Sequence, residues 1–311
     1  MAFAAVHGMD TERDALRALA QFVRTSSFAE RGAVMTDLDG TAVLEAERGV
    51  LLSRSMALGL KRVHDAGRQV LVNTMRFPLS VMRAFGAEWH RATGDDVCLV
   101  SMKGSLVGRI TVSAGGQVGF EEIEAFPLTE SEVGEVMEGV RGMLAHGADD
   151  LLVFFYPRDW LSGEQIWVAE PARVDAVRDK YRSASHVFAG GVQALDARLR
   201  AEPMCMVFLL IDAPQDRLMA YQHTQTSRFV THAGVDKRHG GEALARHLHV
   251  SLADSVGAGD AETDTFLDAV GFAVIVGNQD LAFKGLADTV RVADPAAFGD
   301  MLMRLGAALS T

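Results

Sequence analysis

The sequence predicts an α/β protein, a doubly wound parallel sheet interrupted by an inserted α+β block, and three observations carry that expectation. Short, largely apolar runs at 32–35, 69–72, 96–100, 255–259 and 272–276 alternate with amphipathic stretches, which is the rhythm of βαβ units. Between about 122 and 232 that rhythm gives way to mixed strand and helix segments before it resumes. The charged residues of the βα part fall just after the strands, at the carboxyl edge where such sheets bind ligands.

Taken in order, 10–23 is an amphipathic helix with Leu16, Leu19, Ala20 and Val23 on one stripe and Asp10 or Thr11 as cap. Segment 32–35 is a buried central strand, 53–66 a helix closed by Gly67, and 69–72 a strand ending in Asn73-Thr74-Met75-Arg76. A helix at 78–89 leads to a strand at 96–100 ending in Ser101-Met102-Lys103-Gly104, and 106–112 with 118–123 forms a hairpin around Gly115-Gly116. The block then has a helix at 129–146, strands at 151–156, 165–169, 205–211 and 227–231, and helices at 172–182 and 192–200. After it come a helix at 238–248, strands at 255–260, 272–276 and 289–292, a short helix from Leu281 and a last helix at 295–309. The expected division is a discontinuous core of 1–121 with 233–311, and an inserted domain of 122–232.

Composition narrows the function. With 49% hydrophobic and 23% charged residues in 311, the chain is an ordinary globular protein of two domains. No apolar run reaches the roughly 18 residues of a membrane span, and no basic region precedes a long apolar core at the start, so the cytoplasm is the default. A net charge of −11 argues against a nucleic-acid footprint, so an anionic substrate needs local positive charge. Cys98 and Cys205 lie in apolar runs as small hydrophobes, giving neither a disulfide framework nor a zinc site. His247 and His249 read as solvated surface.

The chain is organised around Val34-Met35-Thr36-Asp37-Leu38-Asp39-Gly40-Thr41. Asp37 and Asp39 repel each other at this spacing, which makes sense if a divalent cation sits between them or if one keeps a proton to act as an acid. The bland alternative is an Asp-rich turn whose side chains cap backbone amides. Downstream, Lys237 precedes a helix whose amino end faces the same edge, and the strand at 255–260 delivers Asp260 to that edge, with Glu262 and Asp264 following in the next helix's first turn. Singly, Thr74 is a plausible cap, Lys237 a surface lysine and the acids first-turn residues. Together they fall in order on one rim and supply what phosphoryl transfer needs: nucleophile, acid, hydroxyl and ammonium donors, and a carboxylate-held magnesium.

Asp37-Leu38-Asp39-Gly40-Thr41, Thr74-x-Arg76, Gly234-Val235-Asp236-Lys237 and Gly259-Asp260-Ala261-Glu262-Thr263-Asp264 resemble the four motifs of the haloacid dehalogenase (HAD) superfamily. Residues 101–106, the acidic helix after Leu128, 234–248 and Val276-Gly277-Asn278 resemble its Cof-type branch. The resemblance implies a Rossmann-like core with a C2-type cap between the second and third motifs, and a magnesium-dependent phosphomonoesterase working through an aspartyl-phosphate. It makes Asp37 the nucleophile and Asp39 the general acid/base. It makes Thr74, Arg76 and Lys237 phosphate binders, and Asp37, Asp39 (by its backbone carbonyl), Asp260 and Asp264 the Mg2+ site. The expected substrate is a sugar phosphate or similar small metabolite. Three positions depart from the branch, which has Gly where Met75 stands, Asn where Lys103 stands and Asn where Thr263 stands. A phosphomutase-like transferase and a catalytically weak binding or regulatory protein are the other classes open to this sequence.

Overall fold

The computed structural model describes residues 2–46, 49–148, 150–211 and 227–309, with the side chains of 2–12, 45, 46, 49 and 227 set aside. Helix α1 (Ala2–Thr25) runs through the caps expected at Asp10 and Thr11, and buries Ala15, Leu19 and Phe22 at helical spacing. Phe22 packs 5.5 Å from the ring of Phe272 and 6.4 Å from Phe28, which belongs to a short helix α2 (Phe28–Arg31) that the sequence did not reveal. Strand β1 (Ala33–Thr36) is buried throughout. The hairpin β2 (Val43–Ala46) and β3 (Gly49–Leu52) forms a small sheet of its own directly after the Asp37 loop, another element not foreseen. Helix α3 (Arg54–Asp65) is capped by Ser53, whose Oγ accepts from the Met56 N–H at 3.2 Å. After β4 (Gln69–Asn73), α4 (Pro78–Val81) and α5 (Ala87–Thr93) are joined by a π-helical turn at Met82–Gly86, carrying helix four residues beyond the expected end. Strands β5 (Val97–Ser101), β6 (Leu106–Val112) and β7 (Val118–Ala125) complete the first half.

A second body follows. Helix α6 (Glu130–Ala145) starts with a capping box in which Thr129 and Glu132 satisfy each other's backbone N–H groups. Then come β8 (Leu151–Pro157), β9 (Gln165–Val168), α7 (Val174–Lys180), β10 (His186–Ala189), α8 (Val192–Arg200), β11 (Met204–Ile211) and β12 (Ser227–Val230). Their sheet runs β10-β9-β8-β11-β12. Strand β8 shows why both faces are apolar. Leu151, Val153 and Phe155 pack with α6 and α8, while Leu152, Phe154 and Tyr156 point to the opposite cluster, which includes Met75, Phe77 and Met102 from the first body. Strand β10 was missed because His186-Val187-Phe188-Ala189 is too short and mixed to show period-two patterning.

The chain returns through α9 (Lys237–His247), β13 (Val256–Gly259), β14 (Phe272–Val276), β15 (Asp288–Val292) and α10 (Pro295–Leu309). The main sheet is β15-β14-β13-β1-β4-β5-β6-β7, parallel from β15 to β5, with β6 and β7 antiparallel at the edge. Alternation along β1 shows the double winding: Val34 joins the layer of α1, α3 and α10, whereas Ala33 and Met35 join that of α9. A division at 121/122 would cut β7, which holds the first sheet to Ala125, because residues 121–125 pair with 106–109. The helix expected from Leu281 is absent. Lys284 N–H donates to Asp268, at the end of a 3-10 helix, and Gly285 N–H to Thr289 Oγ1 in β15, ties that replace helical bonds.

Candidate active site

Strand order reverses at β1, with β4 and β5 on one side and β13, β14 and β15 on the other, so a crevice opens beyond its carboxyl end. Register places Thr36 beside Val72 and Ala258, which sets Asp37 among the ends of β4 and β13. The Asp37 N–H still donates to the Ala258 carbonyl at 2.9 Å, so the carboxylate leaves from an anchored backbone. Gly40, at φ +78°, turns the chain tightly, and a Cβ there would stand 2.2 Å from Asp260 Oδ2. Thr41 Oγ1 then donates to Asp260 Oδ1 at 3.0 Å. Across the crevice, α9 is seated by Gly104, where a Cβ would meet the Asp236 carbonyl at 2.0 Å. Asp236 caps the helix by accepting from His239 N–H at 2.8 Å, and Asn73 Nδ2 holds the Lys237 carbonyl at 2.8 Å.

These placements converge on one buried charge network. Lys237 Nζ lies 2.6 Å from Asp37 Oδ1 and 2.7 Å from Asp264 Oδ1, and the lysine is 1% exposed. Asp264 Oδ2 accepts from the N–H groups of Asp260 and Ala261, both at 2.9 Å, which fixes the loop carrying Asp260. That loop is a turn leading to a short 3-10 helix, where the sequence suggested the first turn of an ordinary helix. Burial penalises the Lys237 ammonium, but the Asp264 and Asp37 carboxylates outweigh it and raise its pKa. Burial pushes the Asp37 carboxyl well above its usual value, Lys237 pulls it down, and Asp264, Asp260 and Asp39 crowd it upward. Burial and the Asp264 charge raise Asp260 to about 6.

Three carboxylates thus face one ammonium, and an oxygen from each of Asp37, Asp260 and Asp264 lies within 4.8 Å of the others. Crowded hard oxygens with surplus negative charge are the donor set a divalent cation such as magnesium takes. The residues present therefore fit the group that the motifs imply. Asp39 is not in this cluster through its side chain. Its carboxylate accepts both Arg76 Nε at 2.8 Å and Arg76 Nη2 at 2.6 Å, and Arg76 Nη1 donates to Ser80 Oγ at 2.9 Å. Arg76, expected on phosphate, is held by Asp39 and Ser80 because a planar guanidinium matches a carboxylate two-for-two. Thr74 is fully buried at the rim, and its Oγ1 accepts the Arg76 N–H at 3.2 Å.

Thr41, Asn73 and Ser80 are the rim residues to which the sequence assigned no role. Asn73 Oδ1 is a buried acceptor with no partner in the structure, at a strand end where polar residues are a known signal. Ser80 stands four residues after Arg76, a spacing readable only once the helix is placed. Of the three departures from the motif pattern, Met75 does not crowd the rim: it is 7% exposed and packs with Phe77, Met102 and the second body. Lys103 takes a left-handed backbone at φ 59°, its N–H 3.3 Å from the Thr74 carbonyl, and burial depresses its ammonium while Asp236 supports it. Thr263 sits half-buried in the Asp260 turn.

A family model described as haloacid dehalogenase-like hydrolase matches residues 206–294. The match spans fewer than a third of the 311 residues, and the fold of the chain is that of solved HAD structures. Among solved HAD structures, a phosphatase from Bacteroides thetaiotaomicron is 18% identical, with 91% of this chain and 96% of that one covered at a TM-score of 0.61. A sugar phosphatase described as HAD subclass IIB is 16% identical over 87% of this chain and 96% of its own, at 0.62. A HAD/COF-like hydrolase from Plasmodium vivax is 17% identical over 92% and 98%, at 0.64. At these identities the likeness is one of fold. No curated protein matches the chain in sequence. Among the described residues no helix is long and apolar enough to cross a membrane.

Proposed function

We propose that this protein is a magnesium-dependent phosphomonoesterase of small phosphorylated metabolites, sugar phosphates foremost, and that the chain from about 126 to 232 is its C2-type cap. The observation that carries the reading is the Lys237–Asp37 pair at 2.6 Å beside Asp260 and Asp264. A cation held by Asp37, Asp260 and Asp264 would offset the charge of the phosphoryl group and of the nucleophile. Asp37 attacks phosphorus in line, the bond from phosphorus to the ester oxygen breaks, and an aspartyl-phosphate forms. Asp39 gives its proton to the departing oxygen, then takes one from the water that cleaves the acyl-phosphate. Lys237 and Thr74 receive the phosphoryl oxygens, Lys237 while keeping Asp37 ionised.

The closed arrangement bears on the substrate. Asp37 is 5% exposed and Thr74 is buried, and a large cap closing over such a site would favour a small metabolite over a folded protein. Asp39 must also leave Arg76 to meet a leaving oxygen, since the guanidinium takes both of its oxygens. The test is release of phosphate from a generic aryl phosphate with added magnesium and its abolition by a chelator, followed by a panel of sugar phosphates. Phosphate release unaffected by chelation would refute the metal; transfer to a sugar hydroxyl, with release requiring a bisphosphate activator, would make the protein a mutase instead.

A further inference from the structure

Asn73 ends β4 with no exposure and has no role in the reaction just described. Strand alternation puts its side chain on the same face of the sheet as Leu71, the face covered by α9. The helix comes close there because its first turns carry Gly240 and Gly241: a Cβ on Gly240 would stand 2.5 Å from Val100 Cγ1, and one on Gly241 3.3 Å from Asn73 Nδ2. At that separation the amide reaches two partners. Asn73 Nδ2 donates to the Lys237 carbonyl at 2.8 Å and to Met35 Sδ, a weaker acceptor, at 3.4 Å. Lys237 carries the ammonium that meets Asp37, and Met35 on β1 stands two residues before Asp37. One amide group therefore joins the backbone under the lysine to the strand under the nucleophile. Stability does not account for it. Asn73 Oδ1 finds no donor among the described residues, and a buried acceptor without one costs about 1–3 kcal/mol, which offsets most of what the two donated bonds contribute.

We propose that Asn73 is a positioning residue: by fixing the Lys237 carbonyl against β4, it sets where the Lys237 ammonium stands between Asp37 and Asp264. The inference deepens the phosphatase reading and rests on it for its kinetic arm. With the amide gone, α9 keeps its cap at Asp236 and its packing on the sheet, but the ammonium loses the tie that aims it at Asp37. A misplacement of about 1 Å at a group that receives phosphoryl oxygens costs up to about 10²-fold in rate.

Asn73→Leu keeps the branched skeleton and removes the donor. Measured well below its melting temperature, kcat should fall on the order of tenfold for aryl and alkyl phosphates alike, because Lys237 acts on the phosphoryl group and not on the leaving oxygen. An unchanged kcat would overturn the proposal, and so would a loss confined to the alkyl ester, which would place the defect at Asp39. Asn73→Ala removes the donor without added bulk and should show the same loss; an effect seen only with leucine would be overpacking and would overturn the proposal too. A second measurement needs no turnover. The Asn73 bond goes to a backbone carbonyl and so survives Lys237→Met, which lets thermal unfolding of Asn73→Ala, Lys237→Met and the double variant separate holding the helix from aiming the ammonium. The drop in melting temperature caused by Asn73→Ala should be smaller in the Lys237→Met background than in the wild type, by roughly 2 °C or more. Equal drops in the two backgrounds would show that the amide only holds α9, and would overturn the proposal. Should the wild-type protein release phosphate from no ester, the phosphatase reading falls, while the unfolding cycle still decides whether Asn73 aims Lys237.

Discussion

On the core side of the interface the contacts are ionic and fully specified: Asp37, Lys237, Asp264 and Asp260 are tied by bonds of 2.6 to 2.9 Å to each other and to backbone N–H groups. Where the two bodies meet they are apolar and fill space, with Met75, Phe77 and Met102 of the first against Leu152, Phe154 and Tyr156 of the second, and Glu164 as a buried carboxylate hydrogen-bonded to Tyr156. A buried ion network tolerates no change, since removing one partner strands another charge. An apolar face keeps its function through many substitutions of similar volume. On the proposed function, the rim would fix the chemistry and the apolar face would be free to vary with substrate.

The sharpest break of that contrast is Asp37→Asn, which keeps the shape and removes the nucleophile. Turnover should fall by on the order of 10⁴ or more, measured by phosphate release under saturating substrate. Lys237→Met comes next, because it leaves Asp37 and Asp264 facing each other unpaired, and urea unfolding of the metal-free protein should show a loss of about 3–5 kcal/mol. Phe77→Ala, in the apolar contact between the two bodies, should cost about 3 kcal/mol by the same assay, through a cavity at the interface. If Lys237→Met proved milder than Phe77→Ala, the ionic side would not be the more demanding one.

A pH experiment sharpens the same point. Asp260 sits above the ordinary carboxylate value, at about 6, so its contribution to stability is complete at low pH and is lost as pH rises through about 6. Metal-free protein should therefore lose stability between pH 4 and 7, by at most about 3 kcal/mol from this group, and magnesium should restore it at pH 7. Absence of any magnesium effect on the melting temperature there would contradict the cation site. The smallest effect concerns the start of α6, where Glu132 accepts from His232 Nδ1 at 2.9 Å and Ala233 N–H at 2.8 Å. Burial works against its charge, but His232 and the Thr129 and Ala233 N–H groups hold its carboxyl down to about 2. Its contribution is present above the ordinary value and fades as pH falls toward 2. Glu132→Gln should thus lower the melting temperature by one or two degrees at pH 7, roughly what a surface contact is worth, and progressively less toward pH 3.

The same contrast explains what could be read from the chain. Asp37, Asp39, Thr74, Lys237, Asp260 and Asp264 stand out because polar residues directly after apolar strands have few structural reasons to be there; the structure joins Asp37, Lys237, Asp260 and Asp264 in one network, while Thr74 meets Arg76 beside the Asp39 clamp. The Asp39–Arg76 clamp does not, since both residues fit a phosphate as well as each other and only geometry chooses. Glu164 was invisible because a glutamate between two strands looks like any loop acid until its burial is known. The parallel order of the sheet followed from the βα rhythm, whereas the hairpin at 43–52 and the strand at 186–189 were too short for periodicity to speak.

Whether Asp37 carries the phosphoryl group is the point on which everything else depends. Mixing the protein and magnesium with an aryl phosphate, quenching in acid within a turnover and mapping peptides by mass spectrometry asks it directly. The expected result is one added phosphoryl group on the peptide containing Asp37, absent from Asp37→Asn and accumulating in Asp39→Asn as the second step slows. Phosphate release at full rate with no phosphorylated peptide, or with the label on another residue, would contradict the account.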